Sequence, residues 1–344
     1  VTSHTDSPTF KVKENAEIEV KNKYTQLNTE GYGGMLCATW LDRPLSIAGR
    51  VLVSEGNSIV TKLLNIDRDL LMIPNVAIHM NRAANDGFKY NLQVDMLPLL
   101  SGGDDRQKDF KQIIADELGV KKEDILGHDL YLYNRMAPSI WGANEEFISS
   151  GHLDDLQCGF ASLKALLAGY NDESIDIMAC FDNEEVGSGT KQGADSTLLR
   201  DTLIRINNAL GKTEEDYHRA LASSFMLSAD NAHAFHPAHA EKYDPKSRVY
   251  MNGGVVIKQS ANQKYTTDAV SEAVTKMICE KAGVPCQVFA NHADIPGGST
   301  LGAILNSLVS VTSVDIGMAQ LAMHSPYETA GAKDTAYLVQ FAKR

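Results

Sequence analysis

Two adjacent glutamates, Glu184 and Glu185, follow an apolar run at 174–181 that is typical of a buried strand. Two carboxylates at the end of a buried strand lose hydration and repel each other, so we expect a positive charge to face them. Neighbouring side chains on a regular strand point to opposite faces. The Gly-Ser-Gly segment at 187–189 therefore predicts a sharp turn that lets both carboxylates face one site.

Other residues that can bind metals stand at the ends of further predicted elements. Ligands of open α/β sheets bind at the carboxyl ends of strands, so we expect these residues to converge. They are His4 and Asp6 in SHTDSP, Asp154 and Asp155 in SGHLDDLQ, Asp230 in SSFMLSAD, and His324 in LAMHSPYE. Imidazoles and carboxylates from several elements indicate a site for two divalent ions, such as zinc, that accept both kinds of ligand.

Each of these residues also has a purely structural interpretation. Asp154 could cap the helix that follows it, and Asp230 could belong to a turn. His324 could be an ordinary core or surface histidine. The combination is more specific than any single member. In addition, the spacing of His4 and Asp6 suits a carboxylate that orients a metal-binding imidazole.

The composition excludes some classes of partner. Lys and Arg number 32 against 44 Asp and Glu, which gives a formal net charge of −12. This charge, without any cluster of basic residues, argues against a nucleic-acid or anionic-membrane surface. Five cysteines without a close Cys-x-x-Cys pair favour a reducing compartment, so we expect a cytoplasmic protein. No apolar run of the sequence is long enough to span a bilayer.

The sequence divides into two parts with different patterns of predicted secondary structure. Residues 11–148 contain short β-like runs with one predicted helix, and the part after residue 149 alternates helices with strands. The β-like runs include 16–20, 49–53, 58–64, 70–80 and 90–100, and the helix is predicted over 104–119. In the second part, helices are predicted over 155–170, 196–211 and 268–283, and strands over 174–181, 223–230, 253–260 and 308–317. This alternation favours a largely parallel sheet with helices on both faces.

The sequence resembles the aspartyl aminopeptidase family of metallopeptidases. Six blocks carry the resemblance in the family's order: SHTDSP, LDDL, DNEEVGS, SADNAHAFHP, GGVVIK and AMHSPYE. The resemblance implies a zinc exopeptidase-like α/β catalytic domain, with a mixed, largely parallel sheet between helices, formed by residues 1–10 and 149–344. It also implies an inserted β-rich dimerisation domain at 11–148, and a further N-terminal part of the catalytic domain before Val1.

The resemblance implies two divalent metal ions per subunit, with zinc expected and manganese or cobalt as alternatives. Five residues would bind them: His4 and Asp230 at one ion, Glu185 and His324 at the other, and Asp154 as the bridge. Glu184 would be the general base and acid, and Asp6 would support His4. Spacing alone does not decide between Asp154 and Asp155 as the bridging residue.

The resemblance also implies residues around the substrate. His79 of the inserted domain would enter the active site of the partner subunit; otherwise it is an ordinary strand histidine. Lys258 and Tyr265 would lie near the first side chain of the peptide, which in the family is preferably acidic. A lysine at a strand end could equally be solvated.

Two loops offer further substrate contacts. His233 and His236 in AHAFHPAH are candidates for the wall of the pocket, with a metal-binding histidine cluster as the alternative. Gly298, beside Gly297 in HADIPGGST, would let the backbone approach the substrate closely, or it belongs to a plain turn.

The predicted function is therefore a metal-dependent aminopeptidase that removes an N-terminal residue, with Asp or Glu as the candidate residues. A carboxypeptidase or deacylase on the same scaffold is the first alternative, with Lys258 as its basic clamp. A catalytically inactive peptide-binding relative is the second. A glycosidase is excluded, because its two carboxyls must stand about 5–10 Å apart across a sugar, whereas the two adjacent glutamates converge.

The predicted partners are peptide substrates and further copies of the chain. The resemblance implies dimers and a higher homo-oligomer, with a dodecamer expected.

Overall fold

The computed structural model describes residues 1–102, 109–169 and 171–343, which form two compact units. The first unit consists of Val1–Ser7, Pro138–Met323 and Glu328–Arg344. The second consists of Pro8–Ala137 and His324–Tyr327. The catalytic and dimerisation roles assigned above to the two parts of the chain stay predictions.

The described residues form seventeen strands and seven α-helices. The strands are β1 (Thr2–His4), β2 (Thr9–Val20), β3 (Tyr24–Tyr32), β4 (Leu45–Glu55), β5 (Ser58–Asn65), β6 (Leu99–Gly102), β7 (Ile125–Asn134), β8 (Ser139–Trp141), β9 (Phe147–Ser150), β10 (Ala179–Phe181), β11 (Phe225–Ala229), β12 (Ala232–His233), β13 (Val255–Gln259), β14 (Cys286–Ala290), β15 (Thr312–Gly317), β16 (Ala319–Leu321) and β17 (Glu328–Gly331). The helices are α1 (Phe110–Leu118), α2 (Leu153–Ala168), α3 (Leu198–Ala209), α4 (Glu214–Ala222), α5 (Ala269–Ala282), α6 (Leu301–Leu308) and α7 (Asp334–Ala342).

The main sheet of the first unit has the strand order β10-β1-β11-β15-β13-β14. Its neighbouring strands are parallel except for the antiparallel pair β13 and β15. Val255, Val256 and Ile257 on β13 are consecutive and all fully buried, as expected for a strand covered on both faces. The predicted mixed, largely parallel sheet is confirmed.

Helices cover both faces of this sheet. Met226 and Leu227 are neighbours on β11, so their side chains point to opposite faces. Leu227 packs with core residues of α2, α5 and α7, whereas Met226 packs with those of α3 and α6. The apolar residues of one strand therefore belong to two separate core clusters, one on each face.

The first unit also has a smaller sheet with the order β12-β16-β17-β9-β8. Only β12 and β16 are parallel in it. Its strand β17 lies next to the segment that carries Asp154, because Glu328 at the start of β17 accepts a hydrogen bond from the backbone of Asp154.

The second unit is built on an antiparallel sheet with the order β5-β4-β7-β2-β3-β6. Its core includes Trp40 and Phe10, whose rings meet edge to face with centroids 5.3 Å apart. Helix α1 begins after Asp109, which caps it by accepting from Gln112 N, and ends at Gly119 with φ 65°. The predicted helix over 104–119 is therefore found from Phe110 onward, and residues 104–108 lie outside the described part.

Two β-like runs of the sequence are not regular strands. Of the run at 70–80, only Leu71, Met72 and Ile73 form bridges, and of the run at 90–100 only Leu99 and Leu100 belong to a strand. Prolines at 74 and 98 interrupt both runs and have no N–H to donate to a ladder. The apolar side chains of Val76, Ile78 and Met80 are exposed.

The run at 174–181 is a strand only over its last three residues, β10. Among the described strands, this one is at the edge of the main sheet, and its one partner is β1, along Ala179–Phe181. Edge strands are commonly short, because they have a partner on one side only. No described helix is both long and apolar enough to cross a membrane.

Candidate active site

His4 ends β1 inside the main sheet, and its ring has two different surroundings. Nδ1 lies 3.1 Å from the carbonyl oxygen of Asp6 and 3.4 Å from Asp6 Oδ1, so this nitrogen donates its proton to an acceptor. Nε2 lies 3.4 Å from Asp154 Oδ1 and 4.0 Å from Asp230 Oδ1. A proton held at Nδ1 makes Nε2 the nitrogen that can bind a cation.

The potential ligand atoms of His4, Asp154 and Asp230 all lie within 4.8 Å of one another, and all three residues are buried. Burial alone lowers the pKa of the His4 ring, but the carboxylates of Asp154 and Asp6 outweigh it and raise the pKa well above the ordinary value. The surroundings of the His4 ring therefore strongly favour a positive charge. Two buried carboxylates and an imidazole are a suitable donor set for a zinc-like ion.

Asp154 lies in the first turn of α2, where its backbone is not helical (φ −86°, ψ 107°) and its peptide bond to Asp155 is cis. Its N–H donates to Glu328 Oε2 at 3.0 Å, and its carbonyl accepts from Ser7 Oγ at 2.9 Å. The residue at the N-cap of α2 is His152, which makes no side-chain cap. Asp154 is thus held by its backbone while its carboxylate faces His4.

Asp155 occupies a different place from its neighbour. It is fully buried, and its Oδ2 accepts from the backbone N of His4 at 3.3 Å. Burial raises its pKa well above the ordinary value. Asp154, by contrast, directs Oδ1 toward the ring nitrogen of His4. Of the two aspartates that the sequence could not separate, only Asp154 belongs to the groups able to hold a cation among the described residues.

Asp230 follows β11 and is paired with a lysine. Lys258 Nζ lies 3.8 Å from Asp230 Oδ1. Burial raises the pKa of Asp230 to about 6; the charge of Asp154 adds to this effect, and Lys258 opposes it. The approach of β15 to this residue is so close that a Cβ on Gly317 would collide with the carbonyl oxygen of Asp230.

Glu184 and Glu185 begin a single turn of 3-10 helix, Glu184–Val186. The carboxylate of Asp6 accepts from both backbone N–H groups, Glu184 N at Oδ1 and Glu185 N at Oδ2, each at 3.1 Å. Asp6 thereby connects the glutamates to His4. Atoms of His4, Glu184 and Glu185 also lie within 4.8 Å of one another, so both glutamates face the site as predicted from the turn.

The turn that directs the glutamates has two parts. Gly187 (φ 95°) and Ser188 (φ 60°) follow them in left-handed conformations, and Asn183 (φ 60°) precedes them in another. The Asn183 side chain accepts from Thr190 Oγ1 at 2.9 Å and Gln192 Nε2 at 2.7 Å. The sequence indicated the Gly-Ser-Gly part; the contribution of Asn183 was missed, although asparagine tolerates this conformation better than most residues.

Glu184 has the electrostatic surroundings of a group that exchanges protons near neutrality. Burial raises its pKa to about 7, and the charges of Asp230 and Asp154 push in the same direction, while His4 opposes them. A carboxyl with this pKa is populated in both protonation states at neutral pH, which suits general base and general acid catalysis.

Lys258 is buried on β13, so the alternative of a solvated lysine is wrong. Its Nζ lies 5.4 Å from the centroid of the Tyr265 ring, and Tyr265 is itself buried. Burial lowers the pKa of Lys258, but Asp230 and Tyr265 outweigh it, so the pKa is raised and the ammonium is retained. A substrate-binding role of the two residues stays a prediction.

The two predicted substrate loops are accessible. His233 is an exposed residue of β12, with its ring 6.1 Å from that of Phe289. Gly298 is exposed, and a Cβ there would meet nothing within 4 Å, whereas one on Gly297 would collide with Asn291 Nδ2. A side chain at position 297 would therefore require the Asn291 side chain to move.

The alternative of a metal-binding histidine cluster gains no support. The ring of His236 packs 4.8 Å from that of His239. Within the described ranges, neither His233 nor His236 belongs to a group of three His, Cys, Asp or Glu residues able to hold an ion.

His79 and His324 belong to the second unit. His79 is exposed in a turn, so it is not on a strand as the structural alternative supposed. His324 has a left-handed backbone (φ 67°), and its carbonyl oxygen accepts from Leu36 N at 3.1 Å. The roles proposed for them, entry into a partner's site and metal binding, stay predictions.

A group of buried polar side chains, which the sequence pattern alone did not indicate, surrounds the backbone of Asp154. Its members are Asn231, Gln320 and Glu328, which are all nearly inaccessible to solvent. Two of them lie inside predicted blocks, since Asn231 belongs to SADNAHAFHP and Glu328 ends AMHSPYE. An amide or carboxylate inside a block of apolar and metal-binding residues is the signal that could have found them.

Comparison with known proteins identifies the family. All 344 residues, 1–344, match the family described as aminopeptidase I zinc metalloprotease (M18). The chain is 51% identical over 340 residues to a probable M18 family aminopeptidase 2 of Clostridium acetobutylicum, covering 97% of this chain and 78% of that protein.

Solved structures agree with this assignment. The cryo-EM structure of the Ape4 and Nbr1 complex contains a chain with a TM-score of 0.94 and 34% identity, over 99% of this chain and 70% of that one. The S. cerevisiae mApe1 dodecamer gives a TM-score of 0.83 and 28% identity, over 99% and 77% of the two chains. The chain belongs to the M18 family of aminopeptidase I zinc metalloproteases and is a metal-dependent aminopeptidase.

Proposed function

We propose that this aminopeptidase removes N-terminal Asp or Glu from peptides by means of two divalent ions, expected to be zinc. The observation that carries the catalytic part is the convergence of His4, Asp154 and Asp230 within 4.8 Å, beside Glu184 with a pKa of about 7. His4 and Asp230 would hold one ion, Glu185 and His324 the other, and Asp154 would bridge them.

When bound, the two ions would make a water acidic enough to act as a nucleophile at neutral pH. Glu184 would accept the proton of that water and then donate it to the leaving amine. Asp6 supports this role, because its carboxylate holds the backbone N–H of Glu184 and also faces the Nδ1 side of His4.

The proposed preference for an acidic first residue rests on the retained charge of Lys258. Its ammonium is the basic group nearest to Asp230 in the described ion pairs, and Tyr265 lines the same position. His233 and Gly298, both exposed, would contact the peptide. His79 would contribute from a partner subunit.

We further propose that the chain acts on cytoplasmic peptides as a homo-oligomer of dimers. A dodecamer is the expected form, since mApe1 of S. cerevisiae forms one.

Steady-state rates on a panel of peptides test the specificity and the direction of cleavage. We expect kcat/KM to be highest for free N-terminal Asp and Glu, and to vanish when the amino end is acetylated but not when the carboxyl end is amidated. The opposite response to the two blocking groups would show a carboxypeptidase or deacylase. Equal rates on Asp, Ala and Leu would remove the acidic preference and leave the aminopeptidase assignment intact.

In the variant Lys258→Met, we expect kcat/KM for Asp-peptides to fall at least tenfold more than for Ala-peptides. An equal loss for both kinds of peptide would mean that Lys258 supports Asp230 and does not recognise the first side chain of the substrate.

A further inference from the structure

A chain of buried hydrogen bonds connects two adjacent backbone groups at the start of α2. Glu328 Oε2 accepts from Asp154 N at 3.0 Å, and Glu328 Oε1 accepts from Gln320 Nε2 at 3.4 Å. Gln320 Oε1 in turn accepts from Asn231 Nδ2 at 3.0 Å. The same nitrogen donates to the carbonyl oxygen of Leu153, also at 3.0 Å. The chain thus begins on Asp154 and ends on the residue before it.

The direction of this chain is fixed by its chemistry. The carbonyl of Leu153 can only accept, so the amide nitrogen of Asn231 must face it. The carboxylate of Glu328 also only accepts, so the amide nitrogen of Gln320 must face that side. Between them, the oxygen of Gln320 meets the nitrogen of Asn231. No amide of the chain can turn over without placing donor against donor or acceptor against acceptor.

Two members of the chain adjoin or hold residues that are proposed metal ligands. Asn231 directly follows Asp230 at the end of β11, and Glu328 holds the backbone of Asp154. Asn231 Nδ2 lies in addition 3.2 Å from Gln157 Oε1 on α2. The chain therefore ties the segment of one carboxylate ligand to the segment of the other.

We propose that Glu328 is a positioning residue of the metal site: by accepting from both Asp154 N and Gln320, it sets the direction of the amide chain and fixes the carboxylate of Asp154 opposite His4. This inference rests on the proposed function, in which Asp154 bridges the two ions. Contacts of this kind around metal ligands typically change metal affinity by about 10–100-fold.

The isosteric variant Glu328→Gln is incompatible with the order of donors and acceptors along the chain of hydrogen bonds. With its oxygen toward Asp154 N, its new amide group faces the amide nitrogen of Gln320. If Gln320 turns over, its nitrogen meets that of Asn231, which cannot turn without losing its bond to Leu153. One contact of the chain must therefore break.

Exchanging the two side chains restores every hydrogen bond of this chain. In the double variant Glu328→Gln/Gln320→Glu, the new amide at position 328 accepts from Asp154 N and donates to the new carboxylate at position 320. That carboxylate also accepts from Asn231, and the total charge is that of the native protein. If only the volume or the charge at position 328 mattered, the exchange variant would not recover the native zinc affinity.

The experiment measures zinc affinity of the metal-depleted full chain by competition with a chromophoric chelator, together with kcat and KM. We expect Glu328→Gln to weaken zinc binding by about 10–100-fold, and the exchange variant to return to within about threefold of the native affinity. Glu17→Gln is the matched control: Glu17 accepts from Phe110 N at 2.9 Å in the second unit, and we expect native zinc affinity.

Native affinity in Glu328→Gln, or an exchange variant as weak as the single one, would overturn the inference. If the single variant does not fold, the exchange variant decides, and its failure to fold would also count against the proposal. A native chain that binds no zinc, or a His4→Ala variant with unchanged affinity, would instead contradict the proposed function.

Discussion

The two units differ in the kind of polar residue that they bury. In the described part of the second unit, the buried polar residues are the hydroxyl-bearing Thr9, Thr25, Thr29, Ser46 and Ser325. The indole N–H of Trp40 and Nδ1 of His128 are also buried there. The described part of the first unit buries eight Asp, Glu, His or Lys side chains: His4, Asp154, Asp155, Asp230, Lys258, Asp315, Glu328 and Asp334. Buried charge costs stability unless partners or a cation offset it. The described part of the second core thus contains no buried Asp, Glu, Lys or Arg, whereas the first buries charged groups of the proposed metal site together with structural ones such as Asp334, which accepts from Asn252 N and Gly254 N.

The largest expected effect in this comparison concerns Glu184. We expect Glu184→Gln to lower kcat by about 10²–10⁴-fold, because a general base typically contributes this much. Zinc content should stay native, since the proposed base does not bind an ion. Steady-state rates and metal analysis of the same sample measure both. A variant with near-native kcat would show that the assigned base is wrong.

The second unit should respond to a change in packing by losing stability. Trp40 is buried against Phe10, and we expect Trp40→Ala to lower the free energy of unfolding by about 3–5 kcal/mol. Trp40→Phe should cost less, because Trp40 Nε1 has no hydrogen-bond partner among the described residues. Denaturant unfolding of both variants measures the difference. Equal losses would mean that the indole N–H is satisfied.

A smaller effect is expected for the pH dependence of zinc binding. Asp230 has a pKa of about 6 that Lys258 holds down, so zinc must displace a proton from this carboxyl below that pH. His4, whose pKa is raised well above its ordinary value, must also release a proton to bind zinc. Affinity should therefore begin to fall above pH 6 because of His4, and fall more steeply below about 6 as Asp230 takes up a proton. Lys258→Met removes the cation and raises the pKa of Asp230, so the steeper fall should begin at higher pH. Chelator competition at pH 6, 7 and 8 tests this, and an equal loss at all three values would contradict it.

The smallest effect is expected at a buried hydroxyl. Thr29 Oγ1 is buried, and no hydrogen-bond partner is found for it in the described part of the chain. We expect Thr29→Val to raise the free energy of unfolding by about 0.5–1 kcal/mol, because an unsatisfied polar group is removed without changing the shape. Thermal unfolding measures the gain. A loss above about 1 kcal/mol would show that the second core depends on its hydroxyls.

The sequence was informative where a local pattern decides the structure. Helices predicted over 155–170, 196–211 and 268–283 correspond to α2, α3 and α5, because an apolar stripe at helical spacing has few alternatives. The strand predicted over 253–260 corresponds to β13 for a similar reason. The boundaries of α5 are also marked in the sequence, by the capping residue Asp268 before it and Gly283 after it.

The parts of the structure that the sequence did not predict depend on contacts between residues far apart in the chain. The apolar run at 70–80 has the composition of a strand, but strands need a partner edge, which no local pattern supplies. The same holds for the site. The chain from Asp154 through Glu328 to Asn231 joins residues up to 174 positions apart, and only the folded sheets bring them together.

The positions of three residues of the proposed site depend on the single carboxylate of Asp6. One oxygen faces His4 Nδ1 and accepts from Glu184 N, while the other accepts from Glu185 N. The orientation of a metal-binding imidazole and the placement of two glutamates with different proposed tasks thus share one support. Changes at these positions cannot be independent, so their energetic effects will not add. A substitution that changes the position of Glu184, Glu185 or His4 will therefore also affect the other two. Metal affinity and the rate of proton transfer are expected to change together.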